Sequence, residues 1–171
     1  MARNGDGKIK MTKWRLASGN ELSVTYDSEQ DRILYAELDW DFKPGSVDSG
    51  IAGLRFGAST LEHVRKKFNS NGFSYVKHMM FQTENGLVTF NAFELKRTPS
   101  IVVVFVSLLR NTSSLGPHPS DKRLSNEIGK LFTLVAAVVA DESYLDEIWG
   151  NNKIYDPTST PIKLWSWYDD A

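Results

Sequence analysis

The feature that most constrains the fold of this chain is the run Ile101–Leu109, which is apolar almost throughout and does not alternate with polar residues. A strand with this pattern is apolar on both faces and belongs at the centre of a sheet that is covered on both sides. Burial in an oligomer interface is the alternative. Neither this run nor Leu131–Ala140 reaches the roughly 20 residues that a membrane-spanning helix needs.

The N-terminal part of the sequence predicts an antiparallel meander that buries one face. The predicted strands are Met11–Ala17, Glu21–Tyr26 and Arg32–Trp40, with polar turns between them. Period-two spacing in the third strand places the following residues on its core face: Leu34, Ala36, Leu38 and Trp40. Residues 1–10 are expected to form a flexible N-terminal segment.

A turn-rich segment, residues 41–53, separates this meander from the rest of the chain. It contains one proline and three glycines, a composition that is typical of a linker. We therefore expect residues 11–171 to form a single α+β domain, and two small halves joined at 41–53 are the alternative.

A helix is predicted after a short strand at Leu54–Phe56. Ser59 and Glu62 have the spacing of a capping box, in which the two side chains satisfy free N–H groups at a helix start. The helix is expected to end at Asn71-Gly72, because glycine readily adopts the left-handed conformation that terminates helices.

A second meander is predicted from Phe73–Thr83, Leu87–Leu95 and the central run Ile101–Leu109. Asn85-Gly86 lies between the first two strands and predicts a hairpin with a type I′ turn.

Downstream, Ser120 is a candidate helix cap, and apolar residues recur at helical spacing after it. The stripe consists of Leu124, Ile128, Leu131, Val135 and Val138, widened by Phe132 and Val139. We expect a bend or break near Ala140–Ser143 and an end at Gly150. The resulting fold class is α+β: an antiparallel sheet built from two meanders, with two main helices packed on it, in the order βββ-βα-βββ-α.

The overall charge argues against nucleic acid as a partner. Twenty Lys and Arg face 21 Asp and Glu, so the long-range positive field of a non-specific nucleic-acid binder is missing. The charge is nevertheless uneven, because residues 51–83 carry five basic residues against one acid, whereas residues 141–171 carry seven acids against two basic residues. The two regions either attract each other within the fold, or the acidic region forms a surface for a basic partner.

Motifs for catalysis and for cofactor or metal binding are missing from the sequence. The chain has no cysteine, which excludes disulfides, thiolate metal sites and a cysteine nucleophile. His63, His78 and His118 lack metal-binding spacing, and no phosphate-binding glycine motif is present. Asn4–Ile9 is similar to the centre of a calcium-binding loop but would place an alanine and a lysine at ligand positions. We therefore expect no metal and no cofactor.

The C-terminal region is rich in aromatic residues, which dominate binding hot spots. The candidate partner-binding residues are Trp149, Tyr155, Trp165, Trp167 and Tyr168. Trp165 and Trp167 would share one face of an extended segment. Packing of this tail against the core is the alternative.

Residues 53–67, GLRFGASTLEHVRKK, resemble an entry motif of the β-lactamase-inhibitor-protein-like and outer-membrane-assembly small-lipoprotein families. In those families the motif is a short turn into a helix that packs on an antiparallel sheet. The chain departs from them because it lacks both a lipobox cysteine and disulfides. The resemblance implies a non-enzymatic protein-binding module and assigns no functional residue.

The sequence therefore favours a protein-binding or regulatory module, similar in kind to inhibitor or immunity proteins, with another protein as its partner. One alternative is a small enzyme whose site is assembled from dispersed residues such as His78, Asp39 and Glu94. Another is a structural subunit of an oligomer. The N-terminus lacks the apolar segment of a signal peptide, so a soluble cytoplasmic protein is the default expectation and a mature exported form is the alternative.

Overall fold

In a computed structural model, the described residues of this protein form one antiparallel sheet of nine strands. The structure describes residues 8–78, 80–111 and 129–155. The strands are β1 (Ile9–Arg15), β2 (Glu21–Asp27), β3 (Arg32–Asp39), β4 (Phe73–Tyr75), β5 (Met80–Thr83), β6 (Gly86–Arg97), β7 (Ser100–Leu109), β8 (Thr133–Asp141) and β9 (Lys153–Tyr155). The helices α1 (Leu61–Phe68) and α2 (Glu142–Trp149) accompany the sheet, and a 3₁₀ turn covers Val76–His78. The predicted α+β class with an antiparallel sheet is confirmed.

The strands follow the order β1-β2-β3-β8-β7-β6-β4-β9, and β5 also pairs with β6. The first meander, β1 to β3, joins the second through β8, which pairs with β3 on one side and β7 on the other. The β1 strand therefore lies at one end of the sheet, and β9 lies at the other end.

The central position predicted for Ile101–Leu109 is confirmed by β7, which lies between β6 and β8. On one face of the sheet, Val103 and Phe105 belong to a buried cluster with α1. On the other face, Val102 and Val104 belong to a cluster with α2. Because side chains alternate along a strand, the two helices cover opposite faces of the sheet.

The long helix predicted downstream of Ser120 is wrong over residues 133–141, which form β8. Its sequence, TLVAAVVAD, is apolar on both faces, so helical and strand periodicity both fit it. Backbone pairing with β3 and β7 and the β-branched valines favour the strand. Residues 129–131 are helical, and the expected break near Ala140–Ser143 is present, because β8 ends at Asp141 and α2 begins at Glu142. Ser120, Leu124 and Ile128 lie outside the described residues.

The predicted order of elements also needs correction in two places. The strand expected at Leu54–Phe56 is reduced to an isolated bridge between Asp48 and Arg55. The strand expected at Phe73–Thr83 is divided into β4 and β5 by the 3₁₀ turn, and both pair along the same side of the longer β6.

The ends of α1 differ from the predicted caps. Thr60 is the N-cap: its Oγ1 accepts the His63 N–H at 3.4 Å, and its own N–H donates to His63 Nδ1 at 3.0 Å. This is a capping box in which a histidine takes the place of the expected acid, so Ser59 and Glu62 do not form it. The helix ends at Asn69, whose φ of 46° supplies the left-handed cap before Gly72 is reached.

The hairpin predicted from Asn85-Gly86 is present between β5 and β6, but its turn lies one residue earlier. Thr83 pairs with Gly86, so Glu84 and Asn85 form the two-residue loop. The positive φ, 130°, occurs at Gly86. A side chain there would collide with the carbonyl oxygen of Leu109, at 2.2 Å from the added Cβ.

Candidate functional site

The β1 strand forms an exposed edge of the sheet and is the candidate binding surface. It pairs with β2 on one side only, and no strand pairs with its other side within the described ranges. All of its residues are exposed to solvent. A strand of this kind offers unpaired backbone groups to an incoming extended chain.

The register of β1 against β2 fixes which backbone groups face outward. Ser28 donates to the Lys8 carbonyl at 2.8 Å, and Leu16 donates to the Asn20 carbonyl at 2.8 Å. In an antiparallel pair, hydrogen-bonded residues alternate with residues whose groups point away. The even-numbered residues of β1 therefore bond to β2, and the outward N–H and C=O groups belong to Ile9, Met11, Lys13 and Arg15.

Apolar side chains are exposed on both faces of this edge. Met11 is 69% exposed and Ile9 42% exposed on one face, and Trp14 is 47% exposed on the other. Large exposed apolar side chains beside free backbone groups can anchor a docked segment, because their burial is favourable.

The charge of β1 is entirely positive and comes from Lys10, Lys13 and Arg15. Arg15 forms an ion pair with Glu21 at 3.2 Å. Neither Lys10 nor Lys13 has an ion pair within 4 Å in the part of the chain that the structure describes. The edge therefore has positive charge available to a partner.

An acidic group lies near this edge on β2 and β3. Asp39 is directly opposite Glu21 in the sheet, and Glu37 lies two residues before it on the same face. Burial, together with the charges of Glu37 and Glu21, raises the pKa of Asp39 to about 6, and the charge of Lys13 partly opposes this shift. Lys13 thus interacts electrostatically with these acids while its backbone faces outward.

The aromatic residues predicted to bind a partner are described only in part. Trp149 ends α2 and is half-buried, with its ring edge-on to Tyr75 and Phe90 at centroid distances of 5.4 and 6.0 Å. The backbone of Tyr155 pairs with Phe73 in the sheet. The side chain of Tyr155 lies outside the described residues, as do Trp165, Trp167 and Tyr168.

The dispersed enzyme site proposed as an alternative does not come together across the sheet. The register aligns Glu94 with Val102, Ala140 and Tyr35, whereas Asp39 lies in the row of Ala136, four residues further along β3. The side chain of His78 lies outside the described residues. His63 has a structural role in the cap of α1.

The described part of the chain contains no group of three His, Asp or Glu side chains arranged to hold a metal ion. In the same ranges, no helix is long and apolar enough to cross a membrane. Among the described residues, the acids of α2 do not contact the basic residues of α1, because the two helices lie on opposite faces of the sheet. The acids Glu142 and Asp146 of α2 instead bind Lys153 of β9.

Comparisons with protein-family models, with curated proteins and with solved structures find no match to this chain. The resemblance of residues 53–67 to inhibitor-like and small-lipoprotein families therefore stays a prediction.

The sequence predicts β1 as a strand, but its pattern alone does not establish that β1 is an edge. Its observed bounds, Ile9–Arg15, begin two residues before the predicted Met11. A signal was present in the pattern KMTKWR, since lysine and arginine on both faces are typical of edge strands. To recognise β1 as an edge, one must know that β3 pairs with β8. This in turn requires recognising residues 133–141 as a strand.

Proposed function

We propose that this protein is a non-enzymatic protein-binding or regulatory module, and that β1 accepts an extended acidic segment of a partner protein as an additional strand. The observation that carries the proposal is the outer edge of β1, where alternate residues from Ile9 to Arg15 direct their backbone groups away from β2. Backbone bonds would supply affinity, and the exposed Met11 and Trp14 would supply side-chain contacts.

The positive charge of β1 favours an acidic segment of another protein over a second copy of this chain. Pairing between two copies of the protein would set the cations of two β1 strands against each other, and like charges that face each other across strands are destabilising. Lysines on an edge strand discourage such self-association. An acidic segment would instead gain favourable contacts with Lys10 and Lys13, so we favour a different protein as the partner over a second copy.

The test compares Met11→Pro with Met11→Ala in affinity captures from source-organism lysate. The Met11 N–H points away from β2, so proline removes an outward donor and leaves the β1–β2 ladder intact. Alanine removes the same side chain and keeps the N–H group. We expect the wild type to capture a partner and Met11→Ala to capture it more weakly. Met11→Pro should lose the partner, although the circular dichroism spectrum of this variant stays native.

Equal capture by the wild type and the proline variant would contradict docking on β1. A parallel capture with Trp165→Ala/Trp167→Ala tests the aromatic C-terminal surface predicted from the sequence. If only this double variant loses the partner, the protein-binding function stands and the binding surface moves to the tail.

A further inference from the structure

A pocket of about 420 Å³ lies beside the start of α1, on a surface that the β1 proposal does not use. It is bounded by the loop that leads into α1 and by the solvent-facing side of that helix. Four basic side chains line it, those of Arg55, His63, Lys66 and Lys67, and none of the lining residues that the structure describes is acidic.

Two of these cations form no ion pair with any described residue. Lys66 Nζ lies 3.4 Å from Glu62 Oε2. Arg55 and Lys67 have no ion pair within 4 Å in the part of the chain that the structure describes, and both are exposed. The acids of α2 lie beyond the sheet, on its opposite face, and do not neutralise them.

The loop backbone brings the two walls of the pocket close together. Gly53 has a φ of +80°, and a Cβ added to it would lie 3.9 Å from Lys67 Nζ. The lysine therefore reaches across the pocket to the loop that carries Arg55.

Side chains, and not the end of the helix, provide the binding groups. The Leu61 N–H donates to Phe132 O at 3.0 Å, and the His63 N–H is taken up by the Thr60 cap. In the loop, the Arg55 N–H donates to Ser59 Oγ at 2.9 Å. With these amides engaged, an anion in the pocket would be held by the guanidinium and ammonium groups.

We propose that this pocket binds the phosphate group of a small phosphorylated molecule. An arginine offers a planar fork of donors and a lysine a compact charge, a combination suited to an anion with two negative charges and several acceptor oxygens. The pocket volume lies within the roughly 300–1,000 Å³ that is usual for small-molecule sites.

The test is a titration of the ¹⁵N-labelled protein with inorganic phosphate and with pyrophosphate at constant ionic strength, followed by NMR. We expect saturable shifts centred on the amides of Gly53, Arg55 and Lys67. Arg55→Gln and Lys67→Gln should each raise the dissociation constant at least about fivefold, since each removes a charged hydrogen bond. Lys77→Gln makes the same change of charge on an exposed residue outside the pocket and should leave the constant unchanged.

Two results would overturn the proposal. One is an equal response to acetate at the same ionic strength, which would indicate non-specific screening. The other is the same dissociation constant in the wild type, both pocket variants and Lys77→Gln. Neither result bears on β1, because the two surfaces share no residue.

Discussion

At the residue scale, the close contact between Trp40 and Gly57 holds the loop before α1 against the sheet. The Trp40 ring packs over Gly57, which has a φ of +70° and lies so close that an added Cβ would be 2.3 Å from Trp40 Cη2. The Trp40 Nε1 also donates to Lys43 O at 3.2 Å. Both contacts hold the indole in place, and the sequence predicted only that Trp40 faces the core.

We expect Gly57→Ala to lower the free energy of unfolding by about 2–4 kcal/mol, because it combines a strained left-handed backbone with a collision against the indole. Urea denaturation measures this change. Gly45→Ala is the matched control, since no described atom outside its chain neighbours lies within 4 Å of a Cβ added there, and it should be close to neutral. Similar unfolding midpoints for the two variants would contradict the close packing of Trp40 on Gly57.

The raised pKa of Asp39 makes a second residue-scale prediction. Its pKa moves from the ordinary value of 3.8 to about 6 in the fold, so the folded state disfavours the charged form. Stability is then lost as the pH rises between these two values, because the unfolded chain releases its proton first. We expect Asp39→Asn to stabilise the protein at pH 7.5 and to have a smaller effect at pH 4.

Urea denaturation at both pH values tests this expectation. Glu84→Gln, in the exposed turn between β5 and β6, removes one negative charge and serves as the control. An Asp39→Asn effect that is the same at pH 4 and pH 7.5 would rule out the raised pKa as its cause.

At the element scale, the junction between β8 and α2 depends on one carboxylate. Asp141 is 5% exposed, caps α2 by accepting from the Ser143 and Tyr144 N–H groups, and binds Arg32 Nη1 at 2.7 Å. Although burial opposes it, hydrogen bonds from the Ser143 hydroxyl and from the Ser143 and Tyr144 N–H groups, together with the Arg32 charge, keep the pKa of Asp141 below its ordinary value. The stabilisation is therefore present at neutral pH and is lost as the pH falls through the lowered pKa.

We expect Asp141→Ala to lower the free energy of unfolding at pH 7 by about 2–4 kcal/mol, since it removes both the cap and the partner of Arg32. Asp141→Asn keeps a cap acceptor and loses the ion pair, so it should be less destabilising. Denaturation of both variants separates the two contributions. Wild-type stability in Asp141→Ala would show that α2 does not depend on this cap.

The same junction explains which elements were predictable. The strands β1 to β3 and the central β7 were recognised because their turns and apolar patterns are distinct. The strand β8 was not, because Val135, Val138 and Val139 also fit a helical stripe, and only pairing with β3 and β7 distinguishes the two. The local sequence pattern located the break at Asp141 but did not distinguish helix from strand in the segment before it.

At the scale of the whole molecule, the position of β8 makes β1 an edge. Because β8 inserts between β3 and β7, the first meander extends the sheet sideways and β1 becomes its last strand. The helices contribute to clusters centred on β7 and β8, which leaves β1 exposed along its length. The protein-binding function is a prediction from the sequence, whereas the surface proposed for it depends on long-range strand order.

Amide hydrogen exchange of the free protein, resolved by NMR, tests whether the outer edge of β1 is open to a partner strand. The open outer edge of β1 predicts alternation: the amides of Lys10, Thr12 and Trp14 should be protected by β2, whereas those of Ile9, Met11 and Lys13 should exchange rapidly. Protection at every residue of β1 would show that its outer edge is already paired, and would contradict the proposed docking of a partner strand there.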